Sequence, residues 1–119
     1  MSWIQVQSET IGLTHFRLEY FDNKLLIFIL QGPKLRVSSW VEANIEVHPL
    51  SGKADHSVEV LFGDRDCIWT RVIARRILEE TKQNVLLGIL LSKESHCEAA
   101  ALELSTKAIE LLRNQRPFT

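Results

Sequence analysis

The residues best suited to chemistry are two aspartates that follow a glycine between strand-like and helix-like sequence. In VEVLFGDRDCIWTRVIARR, residues 58–76, Gly63 ends an apolar run and Asp64 and Asp66 precede an amphipathic segment. A phosphate-binding turn needs several glycines and usually an inward-pointing lysine or arginine, because amides and a cation must meet the anion. One glycine is present here, and both carboxylates would repel phosphate. The two aspartates are therefore predicted to cap the positive end of a helix.

The cysteines and histidines form no recognisable catalytic or metal-binding pattern. His96 and Cys97 are adjacent on a predicted helix, so their side chains diverge by about 100° and cannot act as base and nucleophile. Cys67 has no identified base. Two histidines and an aspartate share the loop at 48–57, but their spacing matches no familiar zinc motif. We expect no catalytic residue, no metal and no cofactor, and two reduced, buried cysteines.

Length and composition predict one soluble domain over residues 1–119. The chain is 45% hydrophobic and 24% charged with a net charge of −1, which indicates neither a nucleic-acid nor a membrane partner. The N-terminus lacks the basic start and apolar run of a signal peptide, and the longest apolar runs are too short to span a bilayer. We expect a cytoplasmic or nuclear protein.

The first half of the chain alternates apolar and polar residues as β-strands do. After a weak strand signal at 4–6, LTHFRLEYF and KLLIFIL flank a two-residue turn at 22–23. A turn at 32–34 then leads into LRVSSWV, predicted to be the third strand of a meander. Ile45 and Val47 extend that region before the 48–57 loop, and the next strand is predicted at 58–62.

The second half predicts two helices around one buried strand. Residues 66–82 carry an apolar stripe, and the short aliphatic run 85–91 reads as a buried strand. The sequence SHCE at 95–98 matches a capping box that opens the second helix. The predicted fold is therefore α+β: a mostly antiparallel five- to six-stranded sheet, a β-meander then β-α-β-α, with two helices packed on one face.

The predicted sheet has more apolar surface than two helices can cover. A two-residue hairpin pairs Tyr20 with Leu25, Leu18 with Ile27 and Phe16 with Ile29, which makes one apolar face for the helices. The predicted third strand adds Leu35, Val37 and Val41 to that face. A second face keeps an apolar patch with charged neighbours: Leu26, Phe28, Leu30 and Trp40, with His15, Arg17 and Glu19.

This patch is typical of a protein–protein interface, since each helix covers only about 10 Å of sheet width. The alternative is that the 48–57 loop or the N-terminal segment covers it. A second candidate surface is basic, with Arg71, Arg75 and Arg76 on the first helix. These arginines fit either a docking patch for an acidic partner or ordinary pairs with Glu79 and Glu80 four residues later.

Two stretches resemble the proteasome assembly chaperones of the 3/4 family. SVEVLFGDRDCIWTRVIARRILEETKQNVLLGILL is similar to that family's strand, Leu-Leu-Gly-(Asp) turn, helix and aliphatic strand. THFRLEYFDNKLLIFILQGPKLRVSS looks like member 4, in which a strand pair precedes Gly, Pro and Leu-Arg. The resemblance runs from about Thr14 to Leu112 and favours a member-4-like subunit.

The resemblance implies a non-enzymatic chaperone without cofactors, in the cytoplasm or nucleus. Members of the family pair with each other as a heterodimer and hold proteasome α-subunits, notably α5, while the 20S α-ring forms. No binding residue is carried over from the family, so the candidate partner-binding residues rest on the sheet argument and the basic patch. Two alternatives stay open: a small α+β scaffold or adaptor of another complex, and an enzyme that uses the 48–57 loop or Asp64.

Overall fold

The described residues form a six-stranded sheet with two helices on one face. The computed structural model describes residues 5–11, 14–21, 24–33, 36–63 and 67–114, with only the backbone at 5–11 and 21. A short 3₁₀ turn, Lys93–Ser95, precedes the second helix. The elements are β1 Gln5–Ile11, β2 Thr14–Phe21, β3 Lys24–Gln31, β4 Ser39–Val47, β5 Ala54–Phe62, α1 Ile68–Thr81, β6 Asn84–Leu90 and α2 Glu98–Asn114. The predicted α+β fold is confirmed.

The hairpin register predicted from sequence is confirmed. Strands β2 and β3 pair antiparallel with Phe16 opposite Ile29, and with Leu18 opposite Ile27. The pair Tyr20–Leu25 completes the predicted set. The turn at 22–23 lies outside the described residues. The alternation therefore sets correctly which side chains face the helices, because neighbouring residues of a strand point to opposite faces.

The order of the strands differs from the predicted meander. The sheet order is β1-β2-β3-β6-β4-β5, so β6 lies between β3 and β4. Strand β6 is parallel to β3 and antiparallel to β4. An aliphatic strand gains a hydrogen-bonded neighbour on each side in this central place, as buried strands do. The meander consists of β1, β2 and β3, and the prediction that 35–41 pairs beside β3 is wrong.

Two further strand predictions need correction. Strand β5 begins at Ala54, so the loop predicted at 48–57 shrinks to a hairpin turn between Val47 and Ala54. Val37 lies before β4 and not on the helix face, because β4 begins only at Ser39. Leu35 lies outside the described residues. Val41 lies on the helix face as predicted and is fully buried.

The core lies between the sheet and the helices. Helix α1 packs over β4, β5 and β6, and α2 packs beside α1. The buried stripe of α1 includes Ile73 and Ile77, and that of α2 includes Ala101, Leu104 and Ala108. The inward side chains of β3 and β6 are all buried: Leu25, Ile27, Ile29, Val85, Leu87 and Ile89.

Both helices begin later than predicted. Helix α1 begins at Ile68 with Cys67 as its N-cap, and the Cys67 side chain makes no capping hydrogen bond. The predicted caps Asp64 and Asp66 lie outside the described residues. The capping box is wrong, because the Ser95 amide bonds Ser92 O at 3.0 Å in the 3₁₀ turn. Helix α2 begins at Glu98, and Cys97 before it is exposed, contrary to prediction.

Candidate protein-interaction face

Among the described residues, both helices lie on one side of the sheet and its other face has no helix against it. We call it the open face; it is formed by the outward-alternating residues of β2, β3, β6, β4 and β5. Its apolar members in β3 are Leu26, Phe28 and Leu30, each only partly buried. Their neighbours in the same strand, Ile27 and Ile29, are fully buried on the helix side. The four apolar residues predicted to share this face are thus brought together, with Trp40 as the fourth.

Two aromatic rings meet at the centre of the open face. Phe28 and Trp40 have ring centroids 5.6 Å apart in an edge-to-face arrangement with an interplanar angle of 75°. Both are in register with Gly88 of the intervening strand. A Cβ at Gly88 would lie 3.0 Å from Phe28 Cδ1 and 3.0 Å from Trp40 Cζ3. The rings can therefore touch across β6 because position 88 has no side chain.

Strand β6 adds one leucine on each side of the aromatic pair along the strand direction. Leu86 is in register with Leu26, and Leu90 is in register with Leu30. Both are partly buried, unlike Leu87 and Ile89, which face the helices. Sequence reasoning missed this contribution. The signal was present, because in VLLGILL residues 86, 88 and 90 alternate with the buried set.

The apolar surface continues to the edge strand. Phe62 of β5 is opposite Trp40 of β4, next to a register shift that leaves Leu61 as the extra residue. Phe62 is 66% exposed and Leu61 is 47% exposed. Opposed residues of an antiparallel pair lie on the same face, so Phe62 extends the open face. Simple alternation from the buried Val60 would place Phe62 on the helix side. The β-bulge at Leu61 moves Phe62 to the open face, so sequence reasoning missed it.

Two ion pairs border the apolar part of the open face. Arg17 lies at the β2 side, and its Nη2 is 2.9 Å from Glu19 Oε1. Lys24 Nζ is 3.1 Å from Glu42 Oε2, across β6. The hydrogen bond from Lys24, followed by one from Asn44, holds the pKa of the Glu42 carboxyl below its ordinary value. Opposite charges are thus paired at two places on the face, and Glu59, which lies opposite Glu42 on β5, adds a further carboxylate to its β4–β5 side.

A shallow groove of about 450 Å³ runs along the β2–β3 part of the open face. Its lining includes Leu26, Phe28 and Leu30, with Arg17 and Glu19 on one side. Val37, in the connection between β3 and β4, closes the other side. Val37 therefore borders the groove, while Leu26, Phe28 and Leu30 stay partly exposed.

The 48–57 segment does not cover the open face. It forms the far end of the β4–β5 hairpin, and the amide of His48 bonds Lys53 O at 2.9 Å. Trp40 lies at the opposite end of β4, eight residues or about 25 Å from that turn. The N-terminal strand β1 pairs with β2 in the plane of the sheet. In the described residues, neither segment proposed as a cover lies over the aromatic pair.

The basic candidate residues do not join this surface. Arg71 and Arg75 are exposed on α1, on the opposite side of the sheet. Arg75 Nε donates to Glu79 Oε1 at 2.9 Å, as the spacing predicts. Arg76 differs from the prediction, because its Nη1 donates to Leu102 O at 3.0 Å and to Ser105 Oγ on α2. Arg76 therefore fastens the two helices together.

One cysteine–histidine contact joins residues far apart in sequence. Cys67 Sγ lies 4.0 Å from His96 Nδ1, which supplies the neighbour that sequence reasoning did not find for Cys67. The thiol is buried, and no carboxylate of the described residues completes a set with it. Within the described ranges no cluster of three or more His, Cys, Asp or Glu side chains could hold a metal ion.

A membrane span is absent among the described helices, since none of them is long and apolar enough to cross a bilayer.

Comparison with solved structures finds the same fold in a chain of a crystal structure described as a novel chaperone complex for yeast 20S proteasome assembly. The similarity has a TM-score of 0.58 with 14% sequence identity, and it covers 94% of this chain and 98% of that one. No curated protein sequence matches the chain.

Comparison with protein families finds the model described as proteasome assembly chaperone 3, which matches residues 35–106. The matched range holds more than half of the chain and includes Trp40, Phe62, α1, β6 and the first half of α2. The 3/4 family indicated by the sequence motifs is thus confirmed, while the preference for a member-4-like subunit stays a prediction. The chain belongs to the proteasome assembly chaperone 3 family.

Proposed function

We propose that this chain is a non-enzymatic chaperone that pairs with a homologous subunit through its open face. The pair then holds a proteasome α-subunit, α5 by the family resemblance, while the α-ring of the 20S particle forms. The chain works without a cofactor, in the cytoplasm and the nucleus. The family match supports the general role, and the partly exposed aromatic centre at Phe28 and Trp40 carries the choice of surface.

The shape of the open face favours another sheet as its occupant. The face is broad and shallow, and its largest side chains lie on three neighbouring strands around Gly88. A small ligand prefers an enclosed pocket that buries most of its surface. A second sheet can instead pack at about 10 Å over the whole face, as sheets in a β-sandwich do. A homologous subunit carries a sheet of this kind.

The charges of the open face also suit a protein partner. Burying an unpaired charge in an interface is costly. Arg17 already pairs with Glu19 and Lys24 with Glu42, so a partner would not bury either cation unpaired. These pairs lie at the border and leave the aromatic centre uncharged. Interfaces commonly have such an apolar core and polar rim, and a few central aromatic residues provide most of the binding energy. We assign Phe28 and Trp40 to the core and Arg17 to the rim.

The proposal is tested by recovering the tagged chain from its native cells and identifying bound proteins by mass spectrometry. We expect a homologous chaperone subunit in equal amount and proteasome α-subunits in smaller amount. Recovery of the chain in a complex free of proteasome subunits and of any homologous chaperone would contradict the proposal and favour a scaffold or adaptor of another complex. A chain with Phe28→Asp serves as the control for specific binding.

A further inference from the structure

The β4–β5 hairpin projects beyond the rest of the sheet. Strand β6 is in register with β4 only from Ser39 to Ala43, whereas β4 and β5 remain paired as far as Val47 and Ala54. Strand β4 therefore continues for four residues, about 13 Å, beyond Ala43, its last residue in register with β6, and of these Ile45 still contacts Asn84. We call residues 46–55 the arm.

The base of the arm is fixed to the body of the protein. The amide of Ile45 donates to Asn84 Oδ1 at 2.9 Å, so the first residue of β6 holds the strand where the arm begins. On β5, His56 Nδ1 lies 3.9 Å from Glu79 Oε1 at the end of α1. An isolated two-stranded hairpin is marginally stable in water, and the hydrogen bond to Asn84 gives the arm a fixed starting point.

The turn at the end of the arm is held by its own hydrogen bonds. The His48 amide donates to Lys53 O and the Gly52 amide donates to His48 O, each at 2.9 Å. The Lys53 amide also donates to Ser51 Oγ at 3.3 Å. His48 Nε2 and Asp55 Oδ2 are 2.6 Å apart across the two strands. A turn that is ordered before binding loses less conformational entropy when a partner fixes it.

The ordered turn presents apolar side chains to solvent. Leu50 is fully exposed, and Val47 is 63% exposed. Single exposed leucines are common on protein surfaces. Here, however, the leucine is at the end of an anchored projection in which the His48 and Asp55 side chains already contact each other. An apolar side chain presented in this way fits a concave apolar pocket on a folded protein.

We infer that the arm is a second contact site, which inserts Leu50 into an apolar pocket of the proteasome subunit that the chaperone pair holds. The inference rests on the proposed function and adds the surface through which this chain contacts the proteasome subunit. The homologous subunit is a poorer occupant, because a sheet stacked on the open face lies over Phe28 and Trp40. The arm projects in the plane of the sheet, away from that stack, and so stays accessible in the paired chaperone.

The test compares two charge insertions in the same turn. Leu50→Asp removes the apolar anchor, whereas Ser51→Asp adds the same charge one residue away and keeps an acceptor for the Lys53 amide. Each variant is expressed as a tagged chain in native cells, and the amounts of homologous subunit and proteasome subunit recovered are measured. We expect Leu50→Asp to reduce recovery of the proteasome subunit about tenfold or more, with full recovery of the homologous subunit. Ser51→Asp should recover both.

A photo-crosslinking amino acid at position 50 gives an independent readout, with position 28 as the comparison. We expect crosslinks from position 50 to a proteasome subunit and from position 28 to the homologous chaperone. The inference is wrong if Leu50→Asp recovers the proteasome subunit as wild type does, or if position 50 crosslinks to the homologous chaperone. Wild-type chain that recovers no proteasome subunit would instead overturn the proposed function, and the role of the arm with it.

Discussion

Phe28 and Trp40 lie on strands separated by β6, yet their ring centroids are 5.6 Å apart. The contact passes over Gly88, which is in register with both residues. Edge-to-face aromatic pairs add about 0.5–1.5 kcal/mol beyond the area they bury. The pair thus gives the open face a fixed aromatic centre, and Gly88 is the residue on which its shape depends.

Gly88→Ala should alter the aromatic pair more than the stability of the fold. The new Cβ would lie 3.0 Å from both rings, which can tilt outward because they border an open surface. Strand propensity favours alanine over glycine, so we expect the free energy of unfolding to change by less than about 1 kcal/mol. Pairing should weaken by about 1 kcal/mol, or roughly fivefold. The NMR signals of the Trp40 ring and a binding titration check this, and unchanged values of both would contradict it.

Gly63→Ala should be more damaging than Gly52→Ala. Both glycines have positive φ, +106° and +70°, so alanine at either costs about 1–2 kcal/mol in backbone strain. At Gly63 a Cβ would also approach Ser38 O to 2.5 Å, whereas nothing lies within 4 Å at Gly52. We expect Gly63→Ala to lower the free energy of unfolding by at least about 1 kcal/mol more than Gly52→Ala. Equal losses in the free energy of unfolding, measured with denaturant, would contradict this. They would show that the backbone moves away from the new Cβ near Ser38 without an energetic cost.

Arg76→Met should destabilise the protein, and Arg75→Met should not. Arg76 Nη1 donates to Leu102 O and to the Ser105 and Thr106 hydroxyls, and it so links α1 to α2. Loss of these charge-assisted bonds should cost about 1.5–3 kcal/mol. Arg75 makes an exposed pair with Glu79, whose loss should cost less than about 1 kcal/mol. Thermal unfolding of the two variants measures both losses. A loss for Arg76→Met no larger than that for Arg75→Met would contradict the role of Arg76 in linking the two helices.

Lys24→Met should raise the pKa of Glu42 towards its ordinary value. In the wild type the Lys24 hydrogen bond lowers that pKa, so the folded state binds the Glu42 proton more weakly than the unfolded state does. The contribution of the Lys24–Glu42 pair to the stability of the fold is therefore complete above the ordinary glutamate pKa. It is lost as the pH falls through the lowered pKa that Glu42 has in the folded state. Carboxyl NMR titration of both proteins measures the shift. Identical Glu42 titration curves would contradict the assignment of the shift to Lys24.

The sequence predicts the faces of the sheet better than it predicts the neighbours of each strand. Alternation is a local property, and it correctly separates Leu26 and Phe28 from Ile27 and Ile29. The insertion of β6 between β3 and β4 depends on contacts between residues about 60 apart, such as Phe28 and Gly88, which no local period encodes. The predicted meander fails for this reason.

The candidate site was predicted in part. Leu26, Phe28, Leu30 and Trp40 follow from the alternation, but Leu86 and Leu90 required the correct neighbours of β6. Phe62 required the β-bulge beside Trp40, which reverses the face of the last β5 residue. The exposed Leu50 of the arm was assigned to a long loop, because residues 55–57 of β5 are polar and give no strand signal on their own.

The central claim is that the open face is the surface that binds the homologous subunit. The most direct measurement is the affinity of the co-expressed pair for wild type, Phe28→Asp and Arg75→Glu. An unpaired carboxylate at position 28 would be costly to bury in the interface, while the helix-facing core around Ile27 stays intact. We predict that Phe28→Asp folds but loses pairing by about 100-fold or more, and that Arg75→Glu pairs as wild type does. A folded Phe28→Asp chain that pairs normally, with pairing lost in Arg75→Glu, would contradict the account and move the interface to the helix face.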